Sequence, residues 1–184
     1  VRKTAFVIPP EKPLSWVSKY GSVTFNQFSK EVPIGGMNEQ GLVIECLVSA
    51  AEYPPPDKRR AINELQWIQY HLDTCSTADE VITSAQRVRI SPYAVNLHYF
   101  ITDHSGASAV IEYTDGKLSY RSGKRLPTKV LANTAYDREL KTSTSHDNRF
   151  ARCARIIRQY DGRKHAVEYA FGVLDAVSQG DYTK

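Results

Sequence analysis

Apolar and polar positions alternate between two periods along this chain. Residues 16–25, WVSKYGSVTF, are aromatic and β-branched and predict a strand. Gly35-Gly36 reads as a turn, after which residues 42–50, LVIECLVSA, form a near-continuous apolar run. Such a run predicts a strand covered on both faces. Glu45 interrupts it, and a carboxylate there requires an arginine or several donors to meet it. Ile62, Leu65, Ile68 and Leu72 then recur at helical spacing, with Trp67 and Tyr70 widening the face. Ser76-Thr77-Ala78-Asp79 resembles a capping box that opens a second helix through Val81, Ile82 and Ala85. Beyond Pro92 the period changes to that of strands at 97–102, 109–113 and 117–120, joined by His104-Ser105-Gly106 and by Asp115-Gly116. A short strand at 129–132 and helices at about 148–160 and 165–178 complete the pattern. Strands, helices, strands, helices is the order of an α+β domain, with a single domain expected over 1–184.

Composition narrows the function classes. Of 184 residues 41% are apolar and 24% charged, and 11 Tyr, 6 Phe and 2 Trp are too many to leave solvated, which excludes a disordered chain. No uncharged apolar run approaches the roughly 20 residues of a membrane span. The net charge of +4 is milder than a nucleic-acid binder's, so no nucleic-acid partner is expected. Cys46, Cys75 and Cys153 form no CxxC pair, and each reads as a structural thiol. The histidines His71, His98, His104, His146 and His165 show no HExxH or i,i+4 pairing, so no metal is expected. No phosphate-binding or dinucleotide-binding glycine motif and no GxSxG elbow occurs, and no cofactor is expected. The opening VRKTAFVIPPEKP carries no leader-like apolar segment.

Arginines recur at 149, 152, 155 and 158 in the penultimate helix. Phe150, Cys153, Ala154 and Ile157 share its core face, which sends Arg155 and Arg158 towards solvent. Arg149 lies in the first turn at the margin of the buried stripe, where it can project into a cleft. By spacing alone, Asn133 is a turn or cap residue.

The run Trp16-Val17-Ser18-Lys19-Tyr20-Gly21, then Gly36-Met37-Asn38-Glu39-Gln40-Gly41-Leu42, resembles the choloylglycine hydrolase family. That family of linear-amide C–N hydrolases includes penicillin V acylases and bile-salt hydrolases. The resemblance continues through 65–70, 97–99, 109–113, Leu131-Ala132-Asn133 and Asn148-Arg149-Phe150. It implies an Ntn-hydrolase fold: an αββα four-layer sandwich with two stacked antiparallel sheets, here incomplete at both ends. It implies hydrolysis of an acyl amide, such as a penicillin V-like or acyl-homoserine-lactone-like substrate, by a processed N-terminal cysteine. Val1 and VRKTAFVIPP resemble the segment downstream of that nucleophile, so the chain reads as an internal portion lacking it. Asn133 matches the oxyanion-binding asparagine and Arg149 the arginine beside the nucleophile. Val48 falls where bile-salt hydrolases carry Asn and penicillin V acylases Tyr, which leaves only its backbone N–H as a second oxyanion donor. The alternative is a non-catalytic relative that binds acyl amides or protein partners. A homo-oligomer is compatible with the family. Many relatives are exported, so the resemblance implies a periplasmic or secreted protein, with cytoplasmic residence as the alternative.

Overall fold

The computed structural model describes residues 1–27, 30–142 and 148–179; His146 lies outside them. Along the chain run β1 Arg2–Thr4, β2 Ser15–Val17, β3 Ser22–Asn26, β4 Pro33–Asn38, β5 Val43–Val48 and β6 Ala61–Ile62. Then come α1 Gln66–Thr74, α2 Ala78–Ala85, β7 Arg89–Ile90, β8 Leu97–Thr102, β9 Ser108–Thr114 and β10 Lys117–Ser122. A 3₁₀ turn at Gly123–Arg125 precedes α3 Tyr136–Thr142, α4 Arg149–Arg158 and α5 Ala166–Ala176. The chain divides into two compact units, Val1–Pro127 and Thr128–Lys184.

In the first unit six strands form one antiparallel sheet in the order β10-β9-β8-β5-β4-β3. β1 and β2 form a separate antiparallel ribbon, and β6 pairs with β7 in parallel across the connection made by α1 and α2. One face of the large sheet packs on these helices: Ile44, Tyr99, Ile101 and Ile111 meet Trp67, Ile68, Leu72 and Val81 in a single buried cluster. Trp67 stacks on Tyr99 with ring centroids 4.1 Å apart. The Asp115-Gly116 hairpin forms as predicted, both residues taking positive φ (51° and 68°). Thr77 caps α2 by accepting from the Glu80 N–H at 3.2 Å, while the Glu80 carboxylate reaches back to the Ser76 N–H.

Several expectations change. The predicted strand at 16–25 is two strands, because the N–H groups of Lys19 and Tyr20 leave the ladder and donate to the Asp73 carbonyl at 2.8 and 3.2 Å. Gly35-Gly36 lies inside β4, not in a turn. A Cβ on Gly36 would stand 2.5 Å from the Val23 carbonyl oxygen, and one on Gly35 would meet the Glu45 carboxylate, so these glycines permit close cross-strand approach. The turn is Asn38 to Gly41, with Gly41 at φ 76°. Asn38 fixes it: Oδ1 accepts from the Gln40 and Leu42 N–H groups, and Nδ2 donates to the Leu72 and Cys75 carbonyls. Burial on both faces belongs to β8 and β9, where His98 and Val110 are enclosed as fully as Tyr99 and Ile111. In β5 Ile44 is buried whereas Glu45 is exposed. Glu45 therefore needs no arginine, although partial burial of its carboxyl over Gly35 raises its pKa.

In the second unit no strand forms at 129–132, although Val130 is buried there. A strand requires a neighbouring ladder, and apolar sequence alone does not supply one. Tyr136 is buried, and its hydroxyl donates to the Thr128 carbonyl at 2.6 Å. Asn148 caps α4 through the Ala151 N–H at 2.8 Å, and its Nδ2 donates to Glu139 on α3. Phe150 and Ala154 form the buried face of α4 as expected, but Ile157 is exposed. The Arg158 side chain donates to Thr128 Oγ1 at 3.1 Å.

Candidate active site

Asn133 sits in the loop that leads into α3, and Arg149 is the first residue of α4. The Asn148 cap starts the helix where the Arg149 side chain can turn back to that loop. Arg149 Nη2 donates to Asn133 Oδ1 at 3.0 Å. A guanidinium has only donors, so this contact assigns the asparagine's carbonyl edge to the arginine and turns its N–H₂ edge elsewhere. The first turn of α4 carries no acidic residue and begins with this cation. A positive charge there opposes the helix dipole, a placement that costs about 0.3–1 kcal/mol.

Val48 ends β5 opposite Leu97, 55% exposed. The flanking backbone is held firmly. The Ser49 N–H donates to the Asn96 carbonyl at 2.9 Å, and the Tyr53 hydroxyl accepts from the Leu97 N–H at 2.8 Å.

The three thiols are unsuited to attack. Burial and the Glu45 charge push Cys46 up to about 12, and its Sγ–H donates to the Ile34 carbonyl. Burial likewise raises Cys75 and Cys153. His71 is wholly enclosed; desolvation lowers it to about 3, partly offset by its Nδ1–H donating to the Trp67 carbonyl. Among the described residues no group of three or more His, Cys, Asp or Glu is placed to hold a metal.

Sequence reasoning missed Glu64. Its carboxylate is fully buried and accepts from three successive N–H groups, Tyr93 at 2.8 Å, Ala94 at 2.6 Å and Val95 at 2.9 Å. The signal was a polar pair, Asn63-Glu64, inside the apolar run from Ala61 to Leu65. The buried ion pair of Arg89 with Glu11 was missed as well, since its partners lie 78 residues apart.

Comparison with known proteins identifies the family and the fold. The model of the linear amide C–N hydrolases, choloylglycine hydrolase family, matches residues 14–175. A penicillin V acylase of Pectobacterium atrosepticum is 32% identical over 152 residues, covering 73% of this chain and 40% of that protein. The chain thus spans well under two thirds of its curated relative. The structure of penicillin V acylase from Agrobacterium tumefaciens superimposes with a TM-score of 0.82 at 26% identity, covering 100% of this chain and 63% of that one. A variant of conjugated bile acid hydrolase from Clostridium perfringens gives 0.77 at 18% identity, covering 99% and 71%, which shows the shared fold. The mixed α+β architecture with antiparallel sheets is that of these Ntn hydrolases. The chain belongs to the choloylglycine hydrolase family of linear amide C–N hydrolases.

Proposed function

We propose that the protein hydrolyses linear acyl amides and that this chain supplies the oxyanion side of the reaction. The observation that carries the reading is the 3.0 Å hydrogen bond from Arg149 to Asn133 Oδ1, which orients the asparagine amide as a donor. In this reading a cysteine thiolate other than Cys46, Cys75 and Cys153, at a processed N-terminus, bonds to the amide carbonyl carbon. Negative charge gathers on the carbonyl oxygen, and Asn133 Nδ2–H meets it. The C–N bond then breaks and the amine leaves with a proton held by the cysteine's α-amino group. Water attacks the thioester and releases the acid. Arg149 serves twice: it fixes the Asn133 amide, and its charge favours the thiolate.

The test is amine release by the full-length protein from a panel of linear acyl amides that includes penicillin V and an acyl-homoserine lactone. Asn133→Ala is expected to lower kcat by about 10²–10³ with little change in KM, as for loss of one oxyanion donor. Parent-like kcat in that variant, or no hydrolysis of any panel member by the parent, overturns the reading.

A further inference from the structure

Six of the chain's nine prolines line one groove of the first unit: Pro9, Pro10, Pro54, Pro55, Pro56 and Pro92. Its volume is about 680 Å³, the size of a small-molecule site. Proline carries no N–H, so these walls present ring C–H groups and backbone carbonyls, with Ile8 and Tyr53 adding apolar surface.

The groove is braced on two sides. Arg89, with a side chain only 2% exposed, pairs with Glu11 from one wall and donates to the Pro54 carbonyl of the other at 3.5 Å. Its Nε is buried and has no acceptor among the described residues. The loop that brings Pro92 and Asn96 to the rim is pinned by the three N–H bonds to Glu64. Walls fixed in this way lose little entropy when a ligand enters.

Charge selects the ligand. Lys12, Lys58, Arg59 and Arg89 face two carboxylates, Glu11 and Asp57. Both carboxylates are engaged, Glu11 by Arg89 and Asp57 by Arg59 at 2.6 Å. Lys12 and Lys58 are exposed and make no ion pair among the described residues. We infer that this groove binds an aromatic carboxylate, its ring laid on the prolines and its anion at the Lys12–Lys58 rim. The inference concerns binding and stands whether or not the protein cleaves amides.

Calorimetry on the full-length protein tests it with three probes of one shape: naphthalene-2-carboxylate, its neutral carboxamide and 2-naphthylmethylamine. The carboxylate is expected to bind about ten-fold or more tightly than the other two. Its affinity should fall as salt rises from about 50 to 500 mM. The double variant Lys12→Glu, Lys58→Glu alters only exposed side chains and should lose that preference while keeping the parent's circular dichroism and Tm. Ile8→Asn should weaken all three probes by disrupting the apolar wall. Equal affinity for the three probes, an unchanged preference in the double variant, or no binding of any probe overturns the inference. Acetate binding as tightly as the naphthoate would also overturn it, because the proline walls would then contribute nothing.

Discussion

At the scale of single residues, the groups that decide chemistry are those whose environment departs from what their spacing suggests. Asn133 is a turn residue by position alone, and only the resemblance, followed by the contact from Arg149, marks it out. His71 is a clear example of a buried base. Its folded value of about 3 lies well below the ordinary 6.5. Above pH 6.5 it is neutral in both folded and unfolded chain and adds no pH dependence. Between 6.5 and 3 the unfolded chain takes up a proton that the folded one refuses, so stability falls as the pH falls through this window. From pH 6.5 to 5 the loss is about 2 kcal/mol. His71→Gln should remove that part of the slope, read from urea unfolding at the two pH values; an unchanged slope would show that His71 is not held neutral. Glu64 makes the opposite case, a buried carboxylate satisfied by three N–H groups. Glu64→Gln weakens those bonds and brings two donors to a site already full of donors, at a cost of about 2–3 kcal/mol in the same assay. A change below about 0.5 kcal/mol would place the 93–95 loop under other control.

At the scale of elements, legibility followed the range of the forces involved. Helices α1, α2, α4 and α5 and strands β8, β9 and β10 were readable because their stripes, caps and the Asp115-Gly116 turn are local signals. Strands β1, β6 and β7 were not, being two or three residues long and defined wholly by distant partners. The glycine pair was misread for the same reason. Gly35 and Gly36 carry an ordinary turn signature, and nothing near them in sequence announces that the Val23 carbonyl and the Glu45 carboxylate will press against them. Gly36→Ala tests this reading. A methyl 2.5 Å from a backbone oxygen forces β3 away from β4, with an expected cost of about 1–3 kcal/mol. Gly106, with open space around it and φ 80°, gives the control: its alanine variant should lose about 1 kcal/mol, from backbone conformation alone. Parent-like stability for Gly36→Ala, measured by thermal and urea unfolding, would mean that the strands separate without cost.

At the scale of the whole molecule, the two units differ in how much apolar surface each encloses. In the first, Ile44, Trp67, Ile68, Leu72, Tyr99, Ile101 and Ile111 are inaccessible to solvent and belong to one cluster. Among the described residues of the second, burial is confined to a few side chains such as Tyr136, Phe150, Ala154 and Val173, while α5 leaves Val167, Phe171 and Leu174 more than half exposed. Protection against local opening scales with buried apolar contact, so the amides of each unit should report different free energies. Hydrogen exchange under native conditions should find the slowest amides in β5, β8 and β9, at Ile44, Tyr99, Ile101 and Ile111, opening only with global unfolding. Amides of α5 should exchange at least about a hundred-fold faster, equivalent to about 2.7 kcal/mol less protection. The same imbalance bears on the candidate site, because Asn133 and Arg149 both belong to the thinly packed unit. Their 3.0 Å contact depends on the Asn148 cap and the Tyr136–Thr128 hydrogen bonds rather than on a deep core. Asn148→Ala should therefore raise exchange across the first turn of α4 and cost about 1 kcal/mol locally, while the β8 and β9 amides keep their parent rates. Equal protection of α5 and β8 in the parent, or an Asn148→Ala effect that spreads evenly into the large sheet, would contradict this division of stability.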